Sequence, residues 1–186
     1  LPFQSNIKDM ETQHARYITL TFTCTQGKLL FTDESSRLHF LQLAEKWLFP
    51  AAPLIAWSLG DDRATFMLER PEDNTQLKLA THQLCRKFSR YLRKKTKNKT
   101  RLLTSKLTYL QEYTPSDLRD LVVSIHLTPL MQGLGENFIE YPWTSYLHLL
   151  NPKHCNLDHI EALSWFGGKQ KYRNFHHHQL EKITGE

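Results

Sequence analysis

The stretch LIAWSLGDDRATFMLER, residues 54–70, has the pattern of two short strands joined by a tight turn. An apolar run leads into the turn-forming sequence Gly-Asp-Asp at 60–62, and polar and apolar side chains alternate after it. Because successive residues of a strand point to opposite faces, Arg63, Thr65 and Met67 share one face of the second strand. The stretch therefore predicts a β-hairpin. One face of its second strand is partly charged, and the function of that face is the question that the sequence raises.

A strand and a helix precede the hairpin. Residues 17–24 alternate between apolar side chains and tyrosine or threonine, which indicates a half-buried strand. Thr32 or Asp33 can cap a helix that runs to about Leu48, because prolines follow at positions 50 and 53. The predicted apolar face of this helix consists of Leu38, Leu41, Ala44 and Leu48.

Two further helices and a strand follow the hairpin. A helix begins at about Thr75 and continues into a basic segment, and residues 102–113 form the next predicted strand. Thr114 can cap a third helix, which has a proline in its first turn and ends at Thr128-Pro129. The apolar stripe of the helix that begins at Thr75 consists of Leu77, Ala80, Leu84, Phe88 and Tyr91.

The order of these elements predicts the fold class. Two strand–helix–strand units that share one sheet indicate an α+β fold, a ferredoxin-like antiparallel sheet with helices packed on one face. Residues 1–15 are polar and unpatterned, which is typical of a flexible N-terminal arm, and residues 16–129 form the predicted α+β domain. Residues 130–186 are too rich in aromatic side chains for a disordered linker, so we expect a helical C-terminal extension packed on the domain.

The basic residues are concentrated in one segment. Nine of the 24 Lys and Arg residues lie between positions 86 and 101 with no acidic residue among them, and the remainder has 15 basic against 19 acidic residues. Such a segment favours a nucleic-acid partner, although a solvated basic helix that only keeps the protein soluble is the alternative. The predicted phosphate-binding residues are Arg86, Lys87, Arg90, Arg93, Lys94, Lys95, Lys97, Lys99 and Arg101.

Composition excludes several other classes. The 186 residues suit one globular domain with an appendage, and no stretch approaches the roughly 18 to 20 consecutive apolar residues of a membrane span. Cys24, Cys85 and Cys155 are widely separated, which argues against a disulfide framework and for a reducing compartment. We therefore expect a cytoplasmic protein with no membrane partner and no cofactor.

Five stretches of the chain carry a resemblance to a known family. In order they are FTDESSRLHFLQLAEK, IAWSLGDDRATFML, SIHLTPLMQGL, EYPWTSYLHLL and ALSWFGGKQKYRNF. They resemble motifs of the single-tyrosine, HUH-class transposases, in particular the branch associated with repetitive extragenic palindromes. The second stretch is similar to the strand pair that contains His-x-His, the third to Y-I-H-x-N-P, and the fourth to Y-P-W-S-S-Y. The resemblance covers nearly the whole chain.

This resemblance implies an active site whose catalytic residues have been replaced. In active relatives two histidines one residue apart bind a divalent metal, and a tyrosine on a nearby helix attacks the scissile phosphate. Arg63 and Thr65 stand at the two histidine positions, and Ser124 stands at the tyrosine position. A guanidinium has no lone pair for a metal, and a serine without an adjacent base is a weak nucleophile. We therefore expect no catalytic residues and no metal site.

The same resemblance implies that a nucleic-acid-binding surface remains. Family members recognise imperfect DNA hairpins and flanking single strands, so we expect a catalytically inactive, domesticated protein that binds hairpin or single-stranded DNA, or structured RNA, as a regulator. Arg63 is a further candidate nucleic-acid-binding residue, since its guanidinium could hold a phosphate where the metal of the relatives lies. Active relatives are often dimers, and a homodimer is possible.

Two other function classes stay open. In the first, a metal-dependent nuclease or transposase uses a relocated site, with Asp61 and Asp62 as metal ligands and Tyr91, Tyr109 or Tyr113 as the nucleophile. Turn formation is the simpler role for these adjacent carboxylates. In the second class, the protein is an interaction module that uses its aromatic extension and binds no nucleic acid.

Several histidines and aromatic residues have simpler explanations than catalysis. His126 matches a histidine of the family motif, but a lone histidine makes no metal site, so we expect a structural role. The consecutive His176, His177 and His178 spread around a helix and predict a surface cluster. Trp143 and Tyr146 are predicted to anchor the extension, with base stacking as the alternative.

Overall fold

A computed structural model describes residues 15–97, 102–135, 137–151 and 158–185. Short 3₁₀ turns at 25–27 and 49–51 link some of its elements. In chain order the described strands and helices are β1 (Tyr17–Cys24), α1 (Glu34–Trp47), β2 (Leu54–Leu59), β3 (Arg63–Glu69), α2 (Thr75–Thr96), β4 (Leu103–Leu110), α3 (Pro115–Met131), α4 (Tyr146–Leu150), α5 (His159–Ser164) and α6 (Lys169–Thr184).

The four strands form one antiparallel sheet in the order β2-β3-β1-β4. This order places the first strand of each strand–helix–strand unit beside the other, in the centre of the sheet. The predicted ferredoxin-like α+β fold is therefore confirmed. The quoted stretch forms the β2–β3 hairpin, with strand limits that match the alternation of its residues.

Helices α1 and α2 pack over one face of this sheet through phenylalanine rings. The Phe40 ring of α1 lies 5.5 Å from Phe22 of β1, 6.1 Å from Phe66 of β3 and 5.0 Å from Phe88 of α2, measured between centroids. The pairs with Phe22 and Phe88 are edge-to-face and the pair with Phe66 is stacked, and aromatic pairs of both kinds add about 0.5–1.5 kcal/mol each beyond the burial of their area. Helix α3 packs against β2, and every residue of β2 is buried.

The apolar face predicted for α1 is confirmed at Ala44 and Leu48, which are buried, and is wrong at Leu38. Leu38 is 52% exposed, whereas Phe40 and Arg37 are buried. Phe40 fills the centre of the aromatic cluster, and this tertiary contact sets the rotation of the helix. The predicted cap is confirmed at Asp33, whose side chain accepts a hydrogen bond from the backbone N–H of Ser36 in a reciprocal capping box.

Helix α3 begins as predicted and ends later. Thr114 and Asp117 form a capping box, and hydrogen bonds from Thr114 lower the pKa of the Asp117 carboxyl. The expected end at Thr128-Pro129 is wrong, because the helix continues to Met131. A proline in the last turn costs one backbone hydrogen bond, and the next turn forms as the Gln132 N–H donates to the carbonyl oxygens of residues 128 and 129.

The segment after residue 137 packs on β2 and α3. Thr144 bridges Ser58 of β2, while the backbone N–H of Leu59 donates to the Trp143 carbonyl at 2.8 Å. Tyr146 is buried and Trp143 is half-buried. The domain limits at 15 and 130 stay predictions, and residues 1–14 of the arm lie outside the described residues. No helix in the described ranges has the length and the apolar character needed to cross a bilayer.

The surface cluster predicted at positions 176–178 is wrong for one of its three residues. His176 is fully buried, whereas His177 and His178 are exposed. Successive helical residues point about 100° apart, so one residue of such a triplet can face the core while its neighbours face solvent. His176 packs against Tyr172 and lies beside His126, which is also fully buried.

Candidate nucleic-acid interface

A patch of polar side chains lies on the face of the sheet opposite α1 and α2. The register of the strands places these side chains next to one another. Thr23 of β1 lies opposite Arg63 of β3 and Thr104 of β4. One pair further along, Thr21 lies opposite Thr65 and Lys106. Directly opposed residues point to the same side of a sheet, so these side chains share one face. We call this patch the open sheet face, and it consists of Thr21, Thr23, Arg63, Thr65, Thr104 and Lys106.

The two cations of the open sheet face are accessible. Arg63 and Lys106 are exposed, as is Thr104, and the other threonines are half-buried. The hydroxyl oxygens of Thr23 and Thr104 lie 3.2 Å apart. Hydroxyl and cationic side chains are the groups that proteins use most often to contact phosphate and sugar. The face that carries Arg63 and Thr65 can therefore contact a nucleic-acid backbone.

Arg63 is held by the carboxylate beside it. Its Nε and Nη2 atoms donate to the two carboxylate oxygens of Asp62 at 3.1 and 2.9 Å, and the Gln132 amide donates to Asp62 at 2.6 Å. The hydrogen bonds from Arg63 are the main reason that the pKa of Asp62 lies below its ordinary value, and partial burial opposes them. Arg63 must therefore release or share Asp62 before it binds a phosphate.

The residues at this turn do not fit the divalent metal that the resemblance to transposases leads one to look for. Asp61 forms a salt bridge with Arg37 of α1, and Asp62 is engaged by Arg63 and Gln132. In the part of the chain that the structure describes, no three histidine, cysteine, aspartate or glutamate side chains are grouped as a metal site requires. A guanidinium also repels a cation, so Arg63 opposes metal binding where it stands.

Ser124 lies in a different environment from Arg63 and Thr65. It is exposed on α3 and lines a cleft of about 260 Å³ together with Asp120 of the same helix and Gln179 and Ile183 of α6. Neither Arg63 nor Thr65 lines this cleft. The structure therefore does not show the three positions that were predicted as vestigial lining a common site.

The tyrosines of the relocated-site alternative are engaged in packing. Tyr91 lies 4.4 Å from the His39 ring and accepts a hydrogen bond from Lys95, and Tyr113 packs edge-on against Tyr17. Burial raises the pKa of Tyr113, which makes its phenolate harder to form. Tyr109 lies under the guanidinium of Arg70 at 5.6 Å. None of these contacts supplies a base for nucleophilic attack.

Helix α2 carries the second cationic surface. As predicted, its stripe is buried from Leu77 to Phe88, with Tyr91 half-buried. Lys87 is half-buried, and Lys95 donates to Asp33 at 2.6 Å, to Ser35 and to Tyr91. Lys99 and Arg101 lie outside the described residues. We call the exposed remainder the α2 cationic face, and it consists of Arg86, Arg90, Arg93, Lys94 and Lys97.

Both surfaces reach the same end of the sheet. The backbone N–H of Leu103, the first residue of β4, donates to the Ser89 hydroxyl of α2 at 2.8 Å. Because Leu103 pairs with Cys24 and the adjacent Thr23 pairs with Arg63, β3 and β4 both begin at this end. The two turns of α2 that follow Ser89 therefore carry their cations there. Sequence patterns alone missed Thr21, Thr23, Thr104 and Lys106, because their grouping depends on register.

Comparisons with known proteins support the fold. No protein-family model and no curated protein matches the chain. Among solved structures, a REP-associated tyrosine transposase bound to a REP hairpin superposes with a TM-score of 0.53 at 12% sequence identity. The match covers 77% of this chain and 84% of the transposase chain. The chain therefore has a transposase-like fold, and at this identity the likeness shows the fold alone.

Two structures of a bacterial tRNA(His) guanylyltransferase-like protein also match, more weakly. The complex with GTP has a TM-score of 0.40 at 8% identity and covers 75% of this chain and 79% of that chain. The complex with ATP has a TM-score of 0.37 at 10% identity, with coverage of 74% and 73%. These two matches add nothing to the assignment.

Proposed function

We propose that this chain is a catalytically inactive, transposase-like protein that binds hairpin or single-stranded DNA, or structured RNA, and acts as a regulator. The observation that most supports the proposal is the placement of two cationic surfaces at one end of the sheet. There the open sheet face and the last turns of the α2 cationic face lie on elements that are hydrogen-bonded to each other. The hairpin bound by the transposase of similar fold is a ligand of the same class.

Electrostatics supports a nucleic-acid ligand at this end. Among the described residues of segment 86–97, Lys95 is the one that forms a salt bridge, so the cations of the α2 cationic face keep their charge available. Cations that meet phosphates release condensed counterions, which makes affinity fall steeply with salt. Threonine hydroxyls on the open sheet face add hydrogen-bond donors for phosphate or sugar.

The chemistry of the inherited positions supports binding without cleavage. A guanidinium locked to Asp62 takes the place of one metal ligand, and the hydroxyl of Thr65 takes the place of the other. Ser124 has Asp120 one helical turn away but no histidine among the residues that line its cleft. Neither metal activation nor base activation of a nucleophile is available from this set.

A binding and cleavage assay tests both parts of the proposal. The full chain is incubated with labelled hairpin and single-stranded oligonucleotides, with Mg²⁺ or Mn²⁺ added. We expect a salt-dependent gel shift with no nicked product and no covalent adduct. A nick or a phosphoryl bond to a side chain would contradict inactivity. The lack of any shift below about 50 mM salt, where phosphate contacts are strongest, would instead favour the interaction module.

Replacing Asp62 with asparagine is predicted to strengthen binding. The amide keeps the size of the side chain and can still bond Gln132, but it removes the charge that holds Arg63. One additional phosphate contact on a single strand is worth about fivefold in affinity at 0.1 M salt. The dissociation constant of Asp62→Asn should therefore fall by that order, and that of Arg63→Ala should rise.

A matched control for this change is Glu72→Gln. Glu72 is exposed and follows β3 at the opposite end of the sheet, so removing its charge changes net charge equally without freeing Arg63. Equal gains for Asp62→Asn and Glu72→Gln would show that only net charge matters. Unchanged affinity in Arg63→Ala would remove Arg63 from the interface.

A further inference from the structure

A cavity of about 380 Å³ lies beside the β2–β3 turn, outside the two cationic surfaces. It opens between the start of α1 and the segment that follows α3. Its volume falls within the range of sites that hold small ligands, and it is large enough for one nucleobase. The lining residues that matter chemically are Glu34, Arg37, Asn137, Glu140, Tyr141 and Trp143.

Arg37 is the buried charge of this cavity. It is 9% exposed, its Nη2 pairs with Asp61, and its guanidinium lies 5.7 Å from the centroid of the Phe31 ring. Its Nε atom is buried and has no hydrogen-bond partner among the described residues. The contacts with Asp61 and Phe31 hold Arg37 in place where it lines the cavity, and a guanidinium can donate hydrogen bonds to a ligand there.

Two aromatic side chains form a fixed wall of the cavity. The Tyr141 hydroxyl donates to the carbonyl oxygen of Leu59 at 2.6 Å, and the Leu59 N–H donates to the Trp143 carbonyl at 2.8 Å. Both residues are therefore tied to the end of β2. Trp143 is half-buried and lines the cavity. Stacking of a base on an aromatic ring contributes about 1–3 kcal/mol.

The polar groups of the lining favour a base over a phosphate. The carboxylates of Glu34 and Glu140 repel a phosphate but accept hydrogen bonds, while Arg37 donates them. Asn137 uses its Oδ1 atom to accept the Ile139 N–H, which leaves its amide N–H₂ as a donor. Guanine presents the matching pattern, with N7 and O6 as acceptors and N2–H₂ as a donor.

We infer that this cavity binds an unpaired guanine base of the nucleic acid. The inference rests on the proposed function, because the α2 cationic face would hold the phosphates of the same strand. Lys95, at the end of α2, pairs with Asp33, and Asp33 directly precedes Glu34 of the lining. The basic end of α2 thus adjoins the cavity, so a strand held there can place one base inside.

Four octanucleotides test the inference with the full chain. The first is an octathymidylate, and in the other three the fourth residue is guanine, adenine or cytosine. Anisotropy of the labelled strands at 0.1 M salt gives each dissociation constant. We expect the guanine strand to bind about tenfold more tightly than octathymidylate, and the adenine and cytosine strands to gain less than about threefold.

Two variants of lining residues and one control variant distinguish guanine binding in the cavity from general binding of the strand. Glu140→Gln changes an exposed carboxylate, and Trp143→Phe keeps an aromatic ring of smaller area. Each should reduce the guanine preference to about threefold or less, with octathymidylate affinity unchanged. Glu45→Gln, an exposed position on α1 that does not line the cavity, should keep the full preference.

The outcomes distinguish this inference from the proposed function. Salt-dependent binding of octathymidylate without a gain for guanine overturns the guanine cavity and leaves the proposed function standing. A larger gain for adenine or cytosine overturns it equally. If guanosine monophosphate competes as well as the guanine strand, the ligand is a free nucleotide and not a strand. Failure to bind any strand overturns both proposals.

Discussion

Replacing Arg90, Arg93 and Lys94 together with glutamine is expected to lower the affinity for a single-stranded oligonucleotide about 100-fold at 0.1 M salt. These three side chains are exposed on the last turns of α2, where the helix extends toward the starts of β3 and β4. Each phosphate contact on a single strand contributes about 0.7 to the slope of log affinity against log salt. The slope should therefore become shallower by about 2, which a salt titration measures directly.

A second triple variant controls for net charge. Lys46, Arg173 and Lys182 are exposed cations on α1 and α6, away from the α2 cationic face, and glutamine at all three removes the same charge. We expect this variant to lose only a few-fold in affinity and to keep its salt slope, because long-range attraction is screened at this ionic strength. Equal losses in the two variants would show that the α2 cationic face is ordinary solvated surface.

The α2 cationic face could be predicted from sequence because it depends on one helix. Leu77, Leu84 and Phe88 fix which side of α2 is buried, and the angle of 100° per residue then places the cations opposite. The hairpin at 54–70 was predictable for a similar reason, since turn residues and alternation are local signals. Element type and limits followed from such local patterns in β1, β2 and β3.

The open sheet face could not be predicted in the same way. Alternation indicated that Thr21 and Thr23 lie on the polar side of β1, but nothing local states which residue of another strand lies opposite. The register that brings Lys106 beside Thr21 and Arg63 beside Thr23 comes from long-range pairing. Sequence patterns therefore found one cation of this face and missed the other.

Buried polar residues are the second feature that sequence patterns do not predict. Arg37 occupies the position of α1 that points inward, and its burial is compensated by the nearby Phe31 ring and by Asp61, which is distant in sequence. His176 is buried beside Tyr172 of its own helix and His126 of α3. Because Asp61 and His126 reach these residues only through tertiary packing, hydrophobic periodicity alone places Arg37 and His176 on the surface.

The second large effect concerns the buried histidine pair, which joins four elements through a directed series of hydrogen bonds. His176 Nδ1 lies 2.9 Å from the Tyr172 carbonyl oxygen, so it must donate there. His176 Nε2 then accepts from His126 Nδ1 at 2.9 Å, and His126 Nε2 accepts from the Ser145 hydroxyl at 2.8 Å. The Ser145 oxygen accepts the Trp57 N–H. With both rings neutral, these distances allow only one assignment of the protons in the series.

An added proton is disfavoured in this series. A proton at His176 Nε2 would face the N–H of His126 unless His126 changes tautomer and donates from Nε2 to the Ser145 oxygen. Burial is the main cause that lowers the pKa of His126 well below its ordinary value and that of His176 to about 4. Acid is therefore expected to weaken the contacts that join α6 to α3 and to destabilise the folded chain.

The free energy of unfolding is predicted to fall by at least about 3 kcal/mol, the share of His176 alone, as the pH is lowered from 7.5 to 4. In the unfolded chain His176 binds a proton near its ordinary pKa of 6.5, whereas in the folded chain it stays neutral to about 4. The unfolded state thus binds more protons within this window. The stabilisation is complete above the unfolded pKa and is lost as the pH falls toward the folded one. Urea unfolding at a series of pH values measures it.

One substitution tests whether the buried histidines cause this loss of stability at low pH. His176→Phe keeps an aromatic ring among Phe166, Tyr146 and Tyr172 but cannot take a proton. It should be less stable at neutral pH, because the His126 Nδ1–H loses its acceptor, and it should lose about 3 kcal/mol less on acidification, since only His126 then contributes. His178→Phe, on the exposed side of the same helix, should keep the pH dependence of the unmodified chain.

The pH range over which stability is lost distinguishes a contribution of the histidines from one of the carboxylates. Asp33, Asp62 and Asp117 have folded pKa values below the ordinary 3.8, so the stability they contribute is present above that value and is lost only at lower pH. A loss between pH 6.5 and 4.5 therefore comes from groups whose pKa in the unfolded chain is near 6.5, as that of the buried histidines is. If the unmodified chain is equally stable at pH 7.5 and 4.5, the pair is not neutral and buried. If His176→Phe keeps the whole loss, another group causes it.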